Sequence, residues 1–364
     1  MQAVTFGLGD PAPRSRYDAL FEACPHALIQ QSTLWAELIR DLGPDEPVFL
    51  LADRDGEPVG GLPLYLFRGP AGSILTSVPQ AGPLGGVFVR TGEPPEPVYA
   101  ALLSGAARLA AAQKCISLTL ITSPFADDLL LYEQHLQPDL VFENFTQVVD
   151  LERVIRNGDW ILPNNAERNP GRTIRKAHTA GFASQLCDDI AEFDRWYSIH
   201  ERRHKELGLT PLRRDLLAGI QTLLRQQGRA FLQLVIAGKD IAAGCLFVHH
   251  RDVCDAFIMS MNSEHSAKAP NYLLMEQALF NMWRRGIRYM NWQSSPQRGD
   301  GVYNFKKQWG SEERLYYFVT KLFTGRERIL ALGADGIKKG YPGHYVVPFG
   351  AFETGFSQRL FRKA

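Results

Sequence analysis

Val48-Phe-Leu-Leu-Ala-Asp-Arg-Asp-Gly-Glu-Pro-Val-Gly-Gly-Leu-Pro-Leu-Tyr-Leu-Phe67 and, about 180 residues later, Phe231-Leu-Gln-Leu-Val-Ile-Ala-Gly-Lys-Asp-Ile-Ala-Ala-Gly-Cys-Leu-Phe-Val-His-His250 are built to one plan. Each runs from an apolar strand through a polar turn (Asp53 to Glu57; Gly238 to Asp240) to a small-residue pair (Gly60-Gly61; Ala243-Gly244) and a second apolar strand. This is a hairpin signature, with close backbone approach at the glycine. Strand-like sequence and then a helix follow each hairpin. The first helix spans about Pro97 to Ala112; the second spans about Asn271 to Arg285, with Gly286 at the C-cap glycine position. Both lead into a further strand, Cys115 to Ile121 and Ile287 to Trp292. Hairpin, helix and strand occurring twice predict a duplicated α/β domain.

The length of 364 residues agrees, since single cores usually stop growing below that size. An apolar content of 45% and a charged content of 22% exclude a disordered chain. Net charge is +1, so the molecule as a whole is no polyelectrolyte made for DNA. The two halves differ, however. Residues 1–150 carry 8 Lys/Arg against 18 Asp/Glu, and residues 151–364 carry 32 against 21, which assigns any anionic ligand mainly to the second half. Between the repeats lies a helical insert, residues 165–228, with helices expected at Asn165 to Ala180, Ile190 to Leu207 and Leu212 to Gln227. The expected division is therefore 1–145, 146–324 including the insert, and a loop-rich tail 325–364.

No apolar run approaches the roughly 18–20 residues of a membrane span, and no secretion signal is visible at the start. The five cysteines, Cys24, Cys115, Cys187, Cys245 and Cys254, have no C-x-x-C spacing. A reduced, cytoplasmic, monomeric protein without structural zinc is expected.

Chemistry concentrates in Tyr289-Met-Asn-Trp-Gln-Ser-Ser-Pro-Gln-Arg-Gly-Asp-Gly-Val-Tyr-Asn-Phe-Lys-Lys-Gln-Trp-Gly310. A strand ends at Trp292 and a polar glycine loop follows, the place where α/β folds put ligands. The signature G-x-Y-x-F-K-x-x-W-G resembles the FemAB family, aminoacyl-tRNA-dependent transferases of peptidoglycan bridge synthesis. It is equally similar to their relatives described as acetyltransferases of polysaccharide biosynthesis. Four other segments resemble that family in the same order: Gln31-Ser-Thr-Leu-Trp35, Arg172-Thr-Ile-Arg-Lys-Ala-His-Thr-Ala-Gly181, Tyr197 to Arg203 with Gly208 and Pro211, and Pro270-Asn-Tyr-Leu-Leu274. The resemblance implies an α/β fold of tandem duplicated GNAT-like (acyl-CoA N-acyltransferase) domains with a cleft between two lobes. It also implies an N-acyltransferase that needs no cofactor beyond its donor. That donor is a charged tRNA or a thioester, and the acceptor is an amine on a small molecule or a lipid-linked cell-envelope precursor.

Acyl transfer to an amine passes through a tetrahedral oxyanion, which needs fixed donors or a cation. Lys306, framed by Tyr303, Phe305 and Trp309, is the candidate cation, with a solvated helix lysine as the competing reading. Lys306→Ala is then expected to abolish transfer and leave the melting temperature nearly intact. Phe305 and Trp309 read as core or as ligand-stacking rings. Arg172, Arg175 and Lys176 share one helix face suited to phosphates or simply to water. Arg203, Lys268 and Asn271 are further candidates for binding a phosphate-bearing substrate. No carboxylate stands out as general base; Asp255 and Glu264 are candidates, as is Tyr303 if its pKa is lowered. GNAT enzymes that use acyl-CoA share a glycine-rich loop for the pyrophosphate. Its counterpart here, Glu264-His-Ser-Ala-Lys-Ala-Pro-Asn271, has no glycine, which favours another donor such as charged tRNA. An acyl-CoA-dependent acetyltransferase and a non-catalytic binding protein remain as alternatives.

His200-Glu-Arg-Arg-His204 has the H-E-x-x-H spacing of zinc proteases. Two intervening arginines, Leu207 for the expected glycine and Thr210 for the third histidine argue against zinc. Exposed helix histidines are expected instead, and His249-His250 is expected to serve a turn.

Overall fold

The structure is a computed structural model that describes residues 1–78, 84–161, 170–295, 297–323 and 326–347, with 326–330 as backbone. The chain divides into two compact units: Met1–Phe145 with the described residues from Leu315 on, and Thr146–Arg314.

The first unit opens with β1 (Gln2–Gly7), α1 (Pro11–Ala23) and α2 (Thr33–Leu42). The hairpin β2 (Glu46–Arg54) and β3 (Glu57–Gly69) follows, then β4 (Gly72–Thr76) and the two-residue β5 (Phe88–Val89). Next come α3 (Pro95–Ala112), β6 (Cys115–Ile121) and α4 (Leu129–Leu136). The chain passes into the second unit along β7 (Leu140–Asp150), then α5 (Leu151–Val154), β8 (Ile155–Arg156) and β9 (Asp159–Trp160). There α6 (Gly171–Thr179), β10 (Ala183–Leu186), α7 (Ile190–Glu206) and α8 (Arg214–Gly219) precede the second hairpin, β11 (Ala230–Ala237) and β12 (Asp240–His250). β13 (Val253–Met261), α9 (Pro270–Arg284), β14 (Tyr289–Ser294) and α10 (Gly301–Lys307) complete it. β15 (Glu312–Leu322) returns the chain to the first unit, where α11 (Arg326–Gly340) follows.

The duplication is real. Strands of the first unit run β1-β2-β3-β4-β6-β15, antiparallel except for the parallel pair β4–β6 that α3 bridges. Those of the second run β10-β11-β12-β13-β14-β7, antiparallel except for the parallel pair β13–β14 that α9 bridges. The small-residue pairs explain themselves in space. A Cβ on Gly61 would lie 2.7 Å from Tyr17 of α1, and one on Gly244 would lie 2.5 Å from Trp196 of α7. In each copy an aromatic ring of a preceding helix rests on the hairpin where no side chain intervenes. Each bridging helix buries one apolar face, Leu102, Leu103 and Ala106 in the first unit and Leu274, Ala278 and Met282 in the second.

Several expectations need correction. The insert is not wholly helical, since β10 adds an edge strand to β11. The helix expected at Leu212 to Gln227 is a short α8 followed by a π-helical turn, Ile220–Leu224. Of the basic helix expected from Asn165, residues 165–169 lie outside the described residues, and α6 starts at Gly171. β14 starts two residues later than expected, because Ile287 and Arg288 spend their N–H groups on Met282 and Asp252. The tail is not only loop: α11 is broken at Gly333, and Ile337, Tyr341, Val346 and Val347 are buried against Phe67 and Ile74. Residues 324–325 and 348–364 of that tail lie outside the described residues. Gly286 takes the expected left-handed conformation, φ 77°. All five cysteines are buried, and none forms a disulfide. Among the described residues no helix is long and apolar enough to cross a membrane.

Candidate functional site

In the second unit the parallel ladder between β13 and β14 ends early. Its last rung is Asp255↔Asn291, although β13 continues to Met261 and β14 to Ser294. Past this rung the two strands part, and their facing edges are released from sheet pairing. On the other side of β14 the register with β7 shifts between Asn291 and Ser294. Gln293, inside that shift, takes a left-handed φ of 62°, which a residue other than glycine adopts only when its surroundings hold it there.

What holds it is polar. Asp255 is 2% exposed and accepts a hydrogen bond from Asn291 Nδ2 at 2.7 Å. Asn291 Oδ1 in turn accepts from Thr146 Oγ1 at 2.5 Å and from the Gln293 N–H at 3.1 Å. Ser295 Oγ donates to Gln147 Oε1 at 3.1 Å, and Gln147 Nε2 donates to the Tyr303 carbonyl at 3.2 Å. The side-chain amide of Gln293 is out of water with neither Nε2 nor Oε1 partnered.

Lys306 completes the arrangement. Asp300 caps α10 by accepting the Tyr303 N–H at 2.6 Å, and the helix delivers Lys306 to the end of β14. Its Nζ donates to the carbonyls of Gln293 at 3.0 Å and Ser294 at 2.8 Å. Burial lowers its pKa to about 8. The competing reading of a solvated helix lysine is thereby set aside: Lys306 is 6% exposed, a buried cation with two of its three donors spent on backbone. One donor remains at the place where the strands part.

An aromatic wall stands beside it. Phe305 meets Tyr272 and Trp292 edge to face, with ring centroids 5.3 and 5.7 Å apart. Trp309 is fully buried and belongs to the core, whereas Phe305 is half-buried and packs on that core.

The other candidates fare differently. Tyr303 is not suited to act as a base: its hydroxyl donates to Glu313 Oε1 at 2.6 Å, and that carboxylate raises its pKa. Arg172, Arg175 and Lys176 are exposed on α6, on the face opposite buried Ile174 and Ala177. Arg203 pairs with Glu206 at 2.9 Å. Lys268 is exposed at the end of a 3-10 turn, Ser263–Lys268, and Asn271 stands in the first turn of α9; Glu264, in the same turn, is exposed. That α9 terminus is poor in free amides, because Pro270 has none and the Tyr272 N–H bonds the Ala269 carbonyl at 3.1 Å.

The histidines also depart from expectation. His200 is fully buried, its Nδ1 3.0 Å from Ser260 Oγ and its Nε2 accepting the Leu212 N–H at 3.1 Å. Both ring nitrogens are thus engaged by protein, because α7 turns this face to β13. His249 and His250 close β12 within the sheet, paired to Cys254 and Val253, and the turn falls on the two residues after them. Asn291, Gln147 and Gln293 escaped the sequence reading. Their signal was a polar residue recurring within a strand otherwise fit for the core.

Residues 164–307 match the family described as an acetyltransferase (GNAT) domain. No curated protein matches the chain. Among solved structures, FemX is similar at a TM-score of 0.70, with 15% identity over 88% of this chain and 97% of that one. The C-terminal domain (DUF2156) of a putative lysylphosphatidylglycerol synthetase from Agrobacterium fabrum is similar at 0.58, with 12% identity over 92% and 99%. A tandem GNAT protein from the clavulanic acid biosynthesis pathway is similar at 0.55, with 16% identity over 89% and 99%. These likenesses place the fold among tandem GNAT proteins, and within that fold residues 164–307 carry the match to the acetyltransferase (GNAT) domain.

Proposed function

We propose that the chain transfers an aminoacyl group from charged tRNA to a primary amine, with Lys306 as the cation that meets the oxyanion. The amine nitrogen attacks the carbonyl carbon of the donor ester. The carbonyl oxygen becomes the oxyanion, and its collapse expels the ribose hydroxyl, which takes up the proton the amine gives away. The observation that carries this reading is the Lys306 ammonium, anchored on the Gln293 and Ser294 carbonyls with one donor left. A charge fixed before the reaction and screened from water stabilises an oxyanion far better than a solvated one. Asp255 acts through Asn291, holding the last rung of the parallel ladder, and is a positioning residue. The exposed face of Arg172, Arg175 and Lys176 suits a polyanionic donor. The acceptor amine belongs to a small molecule or a lipid-linked envelope precursor, and the five buried thiols suit a reducing cytoplasm.

Charged tRNA is preferred because the α9 terminus offers few amides and no glycine for a pyrophosphate. An acyl-CoA donor is the second reading, favoured by the acetyltransferase description of the matched domain and by Lys268 at its edge. The test incubates purified protein with mixed charged tRNAs and, in parallel, with mixed acyl-CoAs, each with a panel of amines including lipid-linked ones. Product masses identify the donor, and Lys306→Met serves as control. Amide product from tRNA alone supports the first reading; product from acyl-CoA alone replaces it with the second. No product with either donor leaves neither standing.

A further inference from the structure

A cavity of about 440 Å3 lies wholly within the first unit. Its lining includes His26, Val87, Tyr99, Phe125, Asp127 and Asp128 and, among the described residues, no lysine or arginine. Asp128 is 5% exposed. Its Oδ2 accepts the Tyr99 hydroxyl at 2.5 Å, but its Oδ1, equally out of water, has no hydrogen-bond partner. The residue stands at the N-cap of α4, where an aspartate ordinarily spends an oxygen on the helix amides, yet it makes no such bond. Leaving a buried carboxyl oxygen unpaired is costly, so it marks a place for a ligand donor. Burial pushes this carboxyl up to about 7, which a bound cation would reverse.

The ligand's chemistry follows from the lining. Two acids, Asp127 exposed and Asp128 buried, line it with no lysine or arginine beside them among the described residues. Phe125 and His26 lie near each other with ring centroids 6.4 Å apart, and Val87 and Phe88 add apolar wall. Carboxylate, aromatic face and apolar wall together select an ammonium on a short hydrocarbon chain. We propose that this cavity binds a primary ammonium ligand with Asp128 as its counter-ion. The proposal goes beyond the transfer reading and stands whether or not transfer occurs.

Titration calorimetry with n-hexylammonium and n-hexanol on the full chain tests it. The ammonium is expected to bind saturably, one per chain, and the alcohol at least about tenfold more weakly. From about pH 8 to about pH 5.5 the ammonium should weaken by about tenfold or more as the carboxyl gains its proton. Tyr99 and Tyr132, whose pKa values burial raises, stay neutral over that range. His26→Ala should keep the pH dependence, separating its ring from Asp128. Asp128→Asn should bind the ammonium no better than the alcohol, and Ala126→Trp, at the lining, should block both. Circular dichroism melts check the fold of each variant. Should Asp128→Asn fail to fold, the pH series and Ala126→Trp decide. Equal binding of alcohol and ammonium, unchanged binding in Asp128→Asn, or no saturable binding would each overturn the proposal.

Discussion

Lys306 Nζ lies 2.8 Å from the carbonyl oxygen of Ser294, so one ammonium ties α10 to the end of β14. Because that bond is structural as well as chemical, the expectation that Lys306 can be removed without thermal cost is revised. Lys306→Met keeps the length of the chain, removes the charge and leaves two carbonyls without their donor. Transfer should fall at least about 100-fold in kcat. Loss of the two hydrogen bonds should cost about 1–2 kcal/mol, the release of a buried charge offsetting part of it. Single-turnover rates and urea unfolding measure the two effects separately. A variant with normal turnover would remove Lys306 from the chemistry, whatever its stability.

The same burial predicts opposite responses of activity and stability to alkali. Lys306 drops from its ordinary 10.5 to about 8. Turnover that needs the cation should therefore fall about tenfold per pH unit above about pH 8. Stability moves the other way. Between about pH 8 and its ordinary value the unfolded chain binds the proton that the folded chain has released, so unfolding becomes harder as pH rises. The displacement amounts to about 3 kcal/mol of charge burial at neutral pH. Lys306→Met should lose this part of the slope in a series of urea midpoints. A wild-type turnover rate that stays flat to pH 10 would count against the cation's role.

Gly244 tests the duplicated architecture. Its absent Cβ would sit 2.5 Å from Trp196 Cδ1 and 2.6 Å from Nε1, and that ring is fully buried. Gly244→Ala should destabilise by about 2–3 kcal/mol through overpacking, and Trp196→Phe in the same chain should recover part of the loss. Additive losses in the double variant, read from thermal melts, would show that the ring and the strand do not press on each other.

The features legible in the sequence are those that repeat at short range. Period-two alternation and the small-residue pairs gave both hairpins, and Gly286 gave the end of α9. Partners distant along the chain were not legible. Tyr303 looked like a possible base until Glu313, ten residues on, proved to hold its proton. Lys306 was legible as a candidate cation from its aromatic neighbours, but its anchor was not, because a short helix of polar residues does not reveal that its lysine reaches back to the carbonyls of Gln293 and Ser294. The edge strand β10, too polar to read as a strand, exists because β11 offers it an open edge.

Two buried histidines contribute to the response to acid. Burial lowers His200 to about 4, with His204 adding to the effect, and lowers His249 to about 4, with Arg285 and Arg229 adding to it. Both folded values lie below the ordinary 6.5, so the unfolded chain takes up these protons first. The stability they confer is whole above about pH 6.5 and is lost as pH falls toward about 4. In that window each contributes up to about 1.4 kcal/mol per pH unit. His200→Gln removes the titrating ring and still offers Ser260 an amide, and His249→Phe replaces the other ring with one that cannot charge. Each single variant should flatten the slope of unfolding free energy between about pH 6 and pH 4.5, and the double variant should flatten it further. Urea titrations at those two pH values provide the measurement. If the single variants keep the wild-type difference in urea midpoint between the two pH values, neither histidine is held neutral by the fold.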